Sequence, residues 1–246
     1  MRDIHFEKLF YSFTSSRMAV ERYRIKNLSI LTILLMWSRS YTANWEFQSV
    51  KKWDQEWKSG SWDYMEKVAV ERSKNAIIGN VFINMYAKST NASVLDIGCG
   101  EGAVSDFLPS AQRKNYVGVD VSKEAIQKAK EKRQNQPYGG KFVHSSVYDF
   151  LPRHNFDVIV FSDVLYYVDH EKILQIYSEY LNPGGIIIIS IFSKSMGNLL
   201  YENIFNVARR LFTKIDEIDI GGFTKKSENA KLEKTAFRIE IYRKKS

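Results

Sequence analysis

The strongest constraint on the fold is a set of short aliphatic runs in the second half of the chain. The clearest is Ile186–Ile191 (IIIISI), which lacks the polar alternation of a sheet with one solvated face. Runs of this kind are typical of strands covered on both faces, as in a parallel sheet built from strand, helix, strand units. The sequence therefore predicts an α/β, doubly wound fold. The predicted strands are 93–97, 116–120, 141–144, 157–161 and 186–191.

Polar stretches with helical periodicity separate the predicted strands. Apolar residues from Asp63 to Lys88 recur near every 3.6 positions, which predicts one helix there. Further helices are predicted over 123–134, with Ser122 as N-cap, and over 169–180 and 199–212. The last two runs with strand character, 213–220 and 235–243, are joined by Gly221-Gly222 and a polar connection. We expect them to form an antiparallel pair that completes the sheet.

The N-terminal quarter differs in composition, because it holds all five tryptophans. We therefore predict an aromatic-rich helical extension over residues 1–60, joined to a domain over 61–246. The run Leu28–Trp37 is far shorter than the ~20 residues that cross a bilayer. It is compatible with docking on the domain, with peripheral membrane contact, or with an extension upstream of the true start. A basic stretch ahead of it imitates a signal peptide, but no clean cleavage site follows.

Charge and cysteine content indicate where the protein is located better than they indicate its biochemical function. The 36 basic and 28 acidic side chains give a net charge of +8, which is compatible with phosphate or anionic lipid but also with an ordinary soluble enzyme. Cys99 is the single cysteine, so an internal disulfide is impossible and no zinc cluster can be drawn with it. The expected location is the cytoplasm.

The segment VLDIGCGEG, residues 94–102, lies where the first strand ends and the next helical segment begins. Gly98 and Gly100 allow backbone angles closed to other residues and let a ligand approach the main chain. Asp120 ends the second strand, where a carboxylate can accept both hydroxyls of a ribose. Together, the glycine turn and Asp120 predict an adenosine-binding site. Because Gly98, Gly100 and Ala103 also satisfy the loose dinucleotide pattern, a nicotinamide oxidoreductase remains an alternative.

Two later blocks, FDVIVFSDVLYYV (156–168) and LNPGGIIIIS (181–190), follow the glycine turn and Asp120. In this order the four blocks resemble the class I S-adenosylmethionine-dependent methyltransferases of small-molecule type, over about residues 60–245. The resemblance implies a Rossmann-like, seven-stranded, mostly parallel sheet ending in the antiparallel hairpin. It also implies S-adenosyl-L-methionine as cofactor. Because attack on a sulfonium methyl group is an in-line displacement that removes the positive charge of the cofactor, no metal is obligatory.

The resemblance assigns roles to individual residues. The methionine part of the cofactor would be surrounded by Asp96, Gly98 and Gly100, and the ribose held by Asp120. Adenine would lie against Val121, Ser146 and Val147; serine stands at 146 where family members commonly have an acidic residue, so backbone amides or Asp149 would make that contact. Arg72, on the helix before the first strand, would meet the cofactor carboxylate, although an ordinary exposed helix arginine is the interpretation that the sequence favours.

The acceptor is expected just past the fourth strand, because ligands of open α/β sheets bind outside the carboxyl ends of strands. Candidates are Asp163 as a polar residue near the methyl group, Tyr166 and Tyr167 as pocket walls, and His170 as base for a hydroxyl acceptor. Packing and helix-capping roles compete with each assignment, and His144 and Cys99 are interpreted as structural. The expected partner is a small polar metabolite, sugar or amine-like, methylated on oxygen or nitrogen.

The segment WDQEWKSGSWDY, residues 53–64, places Trp53 and Trp57 on one helical face. In similar small-molecule methyltransferases such a segment closes over the cofactor as a lid, and here it could equally anchor the extension to the sheet. The chain lacks the Asn/Asp-Pro-Pro-aromatic block of enzymes that methylate base amines, carrying Ser162-Asp163-Val164-Leu165 instead. Nucleic acid is thereby disfavoured. A cofactor-binding scaffold without turnover remains a further alternative.

Overall fold

The computed structural model describes residues 50–136, 139–193, 199–225 and 231–245. The expectations for Leu28–Trp37 and for the remainder of residues 1–49 lie outside these ranges. Within the ranges, none of the helices combines the length and the apolar character needed to pass through a bilayer.

Seven strands form one sheet in the order β3-β2-β1-β4-β5-β7-β6. Strands β1 to β5 pair in parallel, and β7 runs antiparallel to both β5 and β6. The predicted doubly wound, mostly parallel sheet with a C-terminal antiparallel hairpin is confirmed. The strands are β1 (Val94–Ile97), β2 (Tyr116–Asp120), β3 (Lys141–His144), β4 (Phe156–Ser162), β5 (Leu181–Ser193), β6 (Phe212–Thr224) and β7 (Glu233–Lys244).

The aliphatic runs are explained by two cores, one on each face of the sheet. In β5, Ile187, Ile189 and Ile191 belong to one core, whereas Ile186 and Ile188 belong to the other. Successive side chains of a strand point to opposite faces, so a strand buried on both sides must be apolar at every position.

The helices cover both faces. They are α1 (50–58), α2 (Ala69–Ala76, continuing through Ile77–Phe82 and Ile83–Tyr86), α3 (Ser110–Lys114), α4 (Lys123–Arg133), α5 (His170–Ser178) and α6 (Leu199–Leu211). Among the described residues, short 3-10 segments lie at Asp63–Glu66, Ala103–Phe107 and Leu165–Tyr167. The Ser122 hydroxyl accepts a hydrogen bond from the Ala125 amide at 3.2 Å, which confirms the predicted N-cap of α4.

The prediction of one helix over Asp63–Lys88 was wrong in its first part. The chain leaves the 3-10 segment and is extended at Val68, with φ −94° and ψ 125°, before α2 begins. This break buries Val68 together with Val70 and Phe237. The spacing of apolar residues correctly predicted which residues are buried. It did not predict the change of chain direction at Val68, because that change depends on packing against Phe237.

The predicted hairpin connection at Gly221-Gly222 was also wrong. Both glycines lie inside β6, where Gly221 pairs with Ala236 and Gly222 with Thr235. A Cβ at Gly222 would lie 3.1 Å from the Cβ of Val70. The glycine therefore serves the close approach of α2 to this strand rather than a turn.

Candidate functional site

The candidate site lies at the carboxyl ends of the central strands. Strand β1 has β2 on one side and β4 on the other, and the chain order reverses direction across this pair of neighbours. In open α/β sheets, the crevice for a ligand opens at such a switch point. The turn after β1, the last residue of β2 and the segment after β4 therefore converge there.

The turn after β1 has the geometry that its glycines predict. Gly98 and Gly100 have φ of 73° and 54°. The amides of Gly98 and Cys99 both donate to the Val119 carbonyl, at 2.8 and 3.0 Å, which fastens the turn to β2. A Cβ at Gly98 would lie 2.7 Å from a methyl group of Val164. The turn is thus packed closely against the segment that follows β4.

Asp96 is a buried carboxylate with an incomplete set of partners. Its Oδ2 accepts a hydrogen bond from the Tyr116 hydroxyl at 2.7 Å, and its buried Oδ1 has no partner among the described residues. Burial raises the pKa of Asp96 to about 7, against the lowering effect of the Tyr116 hydrogen bond. A buried oxygen that accepts no hydrogen bond, next to the glycine turn, favours binding of a ligand with a hydrogen-bond donor, such as an amine.

Asp120 joins the glycine turn to the start of α4. Its Oδ2 accepts from the Gly100 amide and its Oδ1 from the Ser122 amide, each at 2.8 Å. Loss of solvent raises the pKa of this carboxyl, and the two amides oppose the rise. A carboxylate offers about four lone pairs. Each oxygen of Asp120 therefore keeps acceptor capacity for a ribose hydroxyl.

The three residues assigned to adenine border the same edge. Val121 follows β2, and its carbonyl contacts the His144 ring at 3.1 Å. Ser146 forms a turn in which its hydroxyl accepts from the Tyr148 amide at 3.2 Å, and the Val147 carbonyl accepts from the Tyr177 hydroxyl at 2.9 Å. The serine is thus occupied locally, and its contact with adenine stays a prediction.

Two cationic residues of α2, Arg72 and Lys74, have different surroundings. Arg72 is exposed, donates to the Glu66 carbonyl at 3.3 Å and lies over the Phe107 ring. Lys74, two residues later in α2, is buried. Sequence reasoning singled out Arg72 and missed Lys74, because an ordinary Glu-x-x-Lys spacing on a helix gives no sign that it faces inward.

Lys74 pairs with Asp163, the predicted polar residue after β4. Its ammonium lies 2.5 Å from Oδ2 of Asp163 and 3.2 Å from Oε2 of Glu71. Burial acts to lower the pKa of Lys74, but the two carboxylates outweigh it and raise that pKa. Asp163 has φ 57°, the left-handed region that a non-glycine residue seldom adopts, and its amide donates to the Ser190 carbonyl at 2.9 Å. Such a conformation persists where surrounding contacts determine it.

The remaining predicted acceptor-side residues lie on two successive elements, the 3-10 segment Leu165–Tyr167 and the start of α5. The Tyr166 and Tyr167 rings stack edge to face at 4.4 Å beside Asp163 in the chain. His170 opens α5, and its ring contacts Asn203 of α6 at 3.3 Å. Burial lowers the pKa of His170. Cys99 is buried, which raises the pKa of its thiol, and a protonated thiol is a poor nucleophile.

Helix α1 covers the glycine turn. The Trp57 side chain is buried, and a Cβ at Gly100 would lie 2.9 Å from its ring. Asp54 of α1 accepts hydrogen bonds from the Ser122 hydroxyl at 2.7 Å and the Glu124 amide at 3.3 Å. Residues counted with the extension thus cap α4 next to Asp120. The lid function stays a prediction.

Arg133, at the end of α4, is a second residue that sequence reasoning missed. Its buried guanidinium donates to the carbonyls of Glu101 and Gly102, each at 2.7 Å, and to Asp106 at 2.6 Å. The same group lies over the Phe142 ring, 5.0 Å from its centroid. These contacts hold the outer end of the glycine turn. A basic residue in the last turn of a helix is too common to predict this role.

Comparison with known proteins places the chain in a family. A family profile described as a methyltransferase domain matches residues 88–234. Phosphoethanolamine N-methyltransferase 1 of Zea mays is 29% identical over 118 residues, covering 47% of this chain and 24% of that protein. Nodulation protein S of Rhizobium tropici is 34% identical over 99 residues, covering 40% of this chain and 39% of that protein. The chain thus spans well under half the length of these two relatives.

Solved structures agree on the fold. The N-methyltransferase NodS of Bradyrhizobium japonicum WM9, crystallised with S-adenosyl-L-homocysteine, superposes with a TM-score of 0.63 at 18% identity. The match covers 80% of this chain and 98% of the NodS chain.

Proposed function

We propose a function from one established premise: this chain belongs to the methyltransferase-domain family. The proposed activity is transfer of a methyl group from S-adenosylmethionine to an oxygen or nitrogen of a small polar metabolite. Relatives in this family carry names that specify phosphoethanolamine N-methylation, ubiquinone-pathway O-methylation and nodulation. Those names span both acceptor atoms, which is why the proposal includes both.

The residues of the site fit this cofactor. The orphaned Oδ1 of Asp96 can accept from the ammonium of a methionine group, and Gly98 and Gly100 leave the main chain open to it. Asp120 has acceptor capacity for two ribose hydroxyls, and Val121 follows it at the adenine edge. When bound, S-adenosylmethionine supplies an electrophilic methyl group on a sulfonium. The proposal depends most on the geometry of Asp120. Its carboxylate accepts one amide from the glycine turn and one from the start of α4, and its remaining lone pairs can accept the ribose hydroxyls.

The protein's own contribution is chiefly positioning. Methyl transfer is an in-line displacement, so holding the acceptor atom against the methyl group provides most of the acceleration. The segment after β4 is rigidly held for this task, because Asp163 is fixed by Lys74 and Val164 packs on Gly98. Trp57 and α1 lie over the turn, where they would exclude water once donor and acceptor are bound.

The test combines binding and turnover. We expect calorimetry to show binding of S-adenosylhomocysteine and none of NADH. Asp120→Asn should weaken S-adenosylhomocysteine binding by ~1.5–3 kcal/mol, about 10- to 150-fold, because it removes charge-assisted hydrogen bonds. Glu179→Gln, which neutralises an exposed carboxylate, is the matched control and should bind as the unmodified chain does.

Turnover distinguishes the alternatives. Incubation with methyl-labelled cofactor and a fractionated metabolite extract should label a small molecule. Label in RNA instead would favour nucleic-acid methylation, and binding without any labelled product would favour a scaffold. Unchanged affinity in Asp120→Asn would count against the ribose assignment.

A further inference from the structure

Lys74 joins α2 to the segment that follows β4 through a buried ion pair. Its side chain is 6% exposed, and its ammonium lies 2.5 Å from Oδ2 of Asp163. The same ammonium lies 3.2 Å from Oε2 of Glu71 and 4.5 Å from the centroid of the Phe237 ring. Contacts from α2, from β7 and from the segment after β4 therefore hold one cation in one place.

Asp163 connects this cation to the backbone at the end of β4. Its φ of 57° lies in the left-handed region, which a non-glycine residue enters only at an energetic cost. Such a conformation persists where several contacts determine it. The Asp163 amide donates to the Ser190 carbonyl at 2.9 Å, and the carboxylate is paired with Lys74. The amide contact with β5 and the ion pair with α2 together supply those contacts.

Val164, the next residue, is the part of this segment that meets the glycine turn. A Cβ at Gly98 would lie 2.7 Å from Cγ2 and 2.8 Å from Cβ of Val164, so the two residues are in direct contact. Successive Cα atoms lie about 3.8 Å apart across one rigid peptide unit. A change in the dihedral angles of Asp163 therefore moves Val164 relative to Gly98.

The ion pair is better suited to fixing a geometry than to raising stability. Removing two charges from water costs about as much as their attraction returns, so a buried ion pair is weak evidence for stability. Its better-attested use is to select one arrangement among several. An apolar side chain at position 74 could fill the space beside Phe237, but it would leave the Asp163 carboxylate without the partner that holds it.

We propose, resting on the proposed function, that Lys74 is a positioning residue for the cofactor site. It acts through Asp163 and Val164 on the glycine turn and contributes no contact to the cofactor itself. With the ion pair in place, Val164 stays against Gly98, and the turn keeps the shape that receives the methionine group. Without the ion pair, Asp163 can leave the left-handed region, and Val164 moves with it.

Calorimetric titration with S-adenosylhomocysteine measures the first consequence. Lys74→Met keeps a long side chain over Phe237 and removes the charge. We expect it to weaken binding about 2- to 30-fold, the range for residues that act on a site without touching the ligand. A lysine that only stabilised the fold would lower the unfolding midpoint and leave the affinity of the folded protein unchanged, which would overturn the inference. Lys130→Met, at an exposed lysine of α4, is the matched control and should bind as the unmodified chain does.

A double-mutant cycle tests the route from Lys74 to the turn without any ligand. Gly98→Ala forces a Cβ against Val164, and overpacking accounts for roughly half of its expected cost. Because Lys74→Met frees Val164 to move, the loss in urea midpoint caused by Gly98→Ala should fall to about half in that background. Residues without shared partners act additively, as Lys130→Met and Gly98→Ala should. An equal loss with and without Lys74→Met would overturn the inference.

A second pair of variants covers the case in which Lys74→Met does not fold. Asp163→Gly and Asp163→Ala both remove the carboxylate, but only glycine adopts φ 57° without strain. Asp163→Gly should therefore bind S-adenosylhomocysteine severalfold more tightly than Asp163→Ala, and equal affinities would overturn the inference. Failure of the unmodified chain to bind S-adenosylhomocysteine is a different outcome. It removes the proposed function, whereas the double-mutant cycle still decides whether Lys74 acts on Gly98.

Discussion

Replacing Gly98 by alanine tests whether the turn after β1 has the geometry on which the site depends. Gly98 has φ 73°, where a non-glycine residue costs ~1–2 kcal/mol. The new Cβ would lie 2.7 Å from one Val164 methyl carbon and 2.8 Å from its Cβ. Overpacking of this kind costs ~1–3 kcal/mol. The two effects together predict that Gly98→Ala lowers the free energy of unfolding by roughly 2–5 kcal/mol.

Urea denaturation measures this loss, and calorimetric titration with S-adenosylhomocysteine measures the effect on the site. The control is Gly221→Ala, because a Cβ there would meet nothing within 4 Å. We expect that variant to match or slightly exceed the stability of the unmodified chain, since alanine lowers the entropy of the unfolded state. Two results together would refute this reasoning. The free energy of unfolding of Gly98→Ala would lie within ~0.5 kcal/mol of that of the unmodified chain, the usual range for a neutral surface substitution, and the variant would bind S-adenosylhomocysteine normally.

Three further changes probe the supports of the site. Since burial raises the pKa of Asp96 to about 7, the folded state binds more protons than the unfolded state between its ordinary pKa and about 7. Stability should therefore fall as pH rises through that window, by up to ~1.4 kcal/mol per pH unit from this group, and thermal denaturation should show a flatter profile for Asp96→Asn. Arg133→Met removes the donors that the Glu101 and Gly102 carbonyls use. The free energy of unfolding in urea should therefore fall by at least ~2 kcal/mol. An unchanged urea midpoint would show that Arg133 does not support the turn. Asp54→Ala removes a hydrogen-bond acceptor at the start of α4, which should lower the free energy of unfolding by ~1 kcal/mol. Trypsin should then cut α1 faster. An unaltered digestion rate would mean that this contact does not hold α1 in place.

Much of the sheet was predictable because its signals are local. A strand buried on both faces needs aliphatic residues at every position, and Ile186–Ile191 shows that requirement directly. The N-cap at Ser122 and the turn at Gly98 and Gly100 follow from backbone chemistry at single residues. These features need no knowledge of what the chain packs against.

The charged contacts of the site were not predictable, because they join distant parts of the chain. Lys74 meets Asp163 across 89 positions, and Asp54 meets Ser122 across 68. Nothing in the spacing of Glu71 and Lys74 distinguishes a buried pair from a solvated one. Arg72 was singled out by the family resemblance, but the orientation of α2 exposes it.

The two errors in secondary structure have a similar cause. The helix over Asp63–Lys88 is interrupted so that Val68 can enter a core containing Phe237, 169 positions further along the chain. Gly222 resembles a turn residue, yet it serves close packing of β6 on Val70. In both cases tertiary packing overrides a local preference.

A crystal structure of the protein grown with S-adenosylhomocysteine tests the central claim most directly. The account predicts the ribose hydroxyls on the Asp120 carboxylate and the homocysteine group beside Gly98 and the free oxygen of Asp96. Density for the nucleoside at any other place, with the turn after β1 empty, would contradict it.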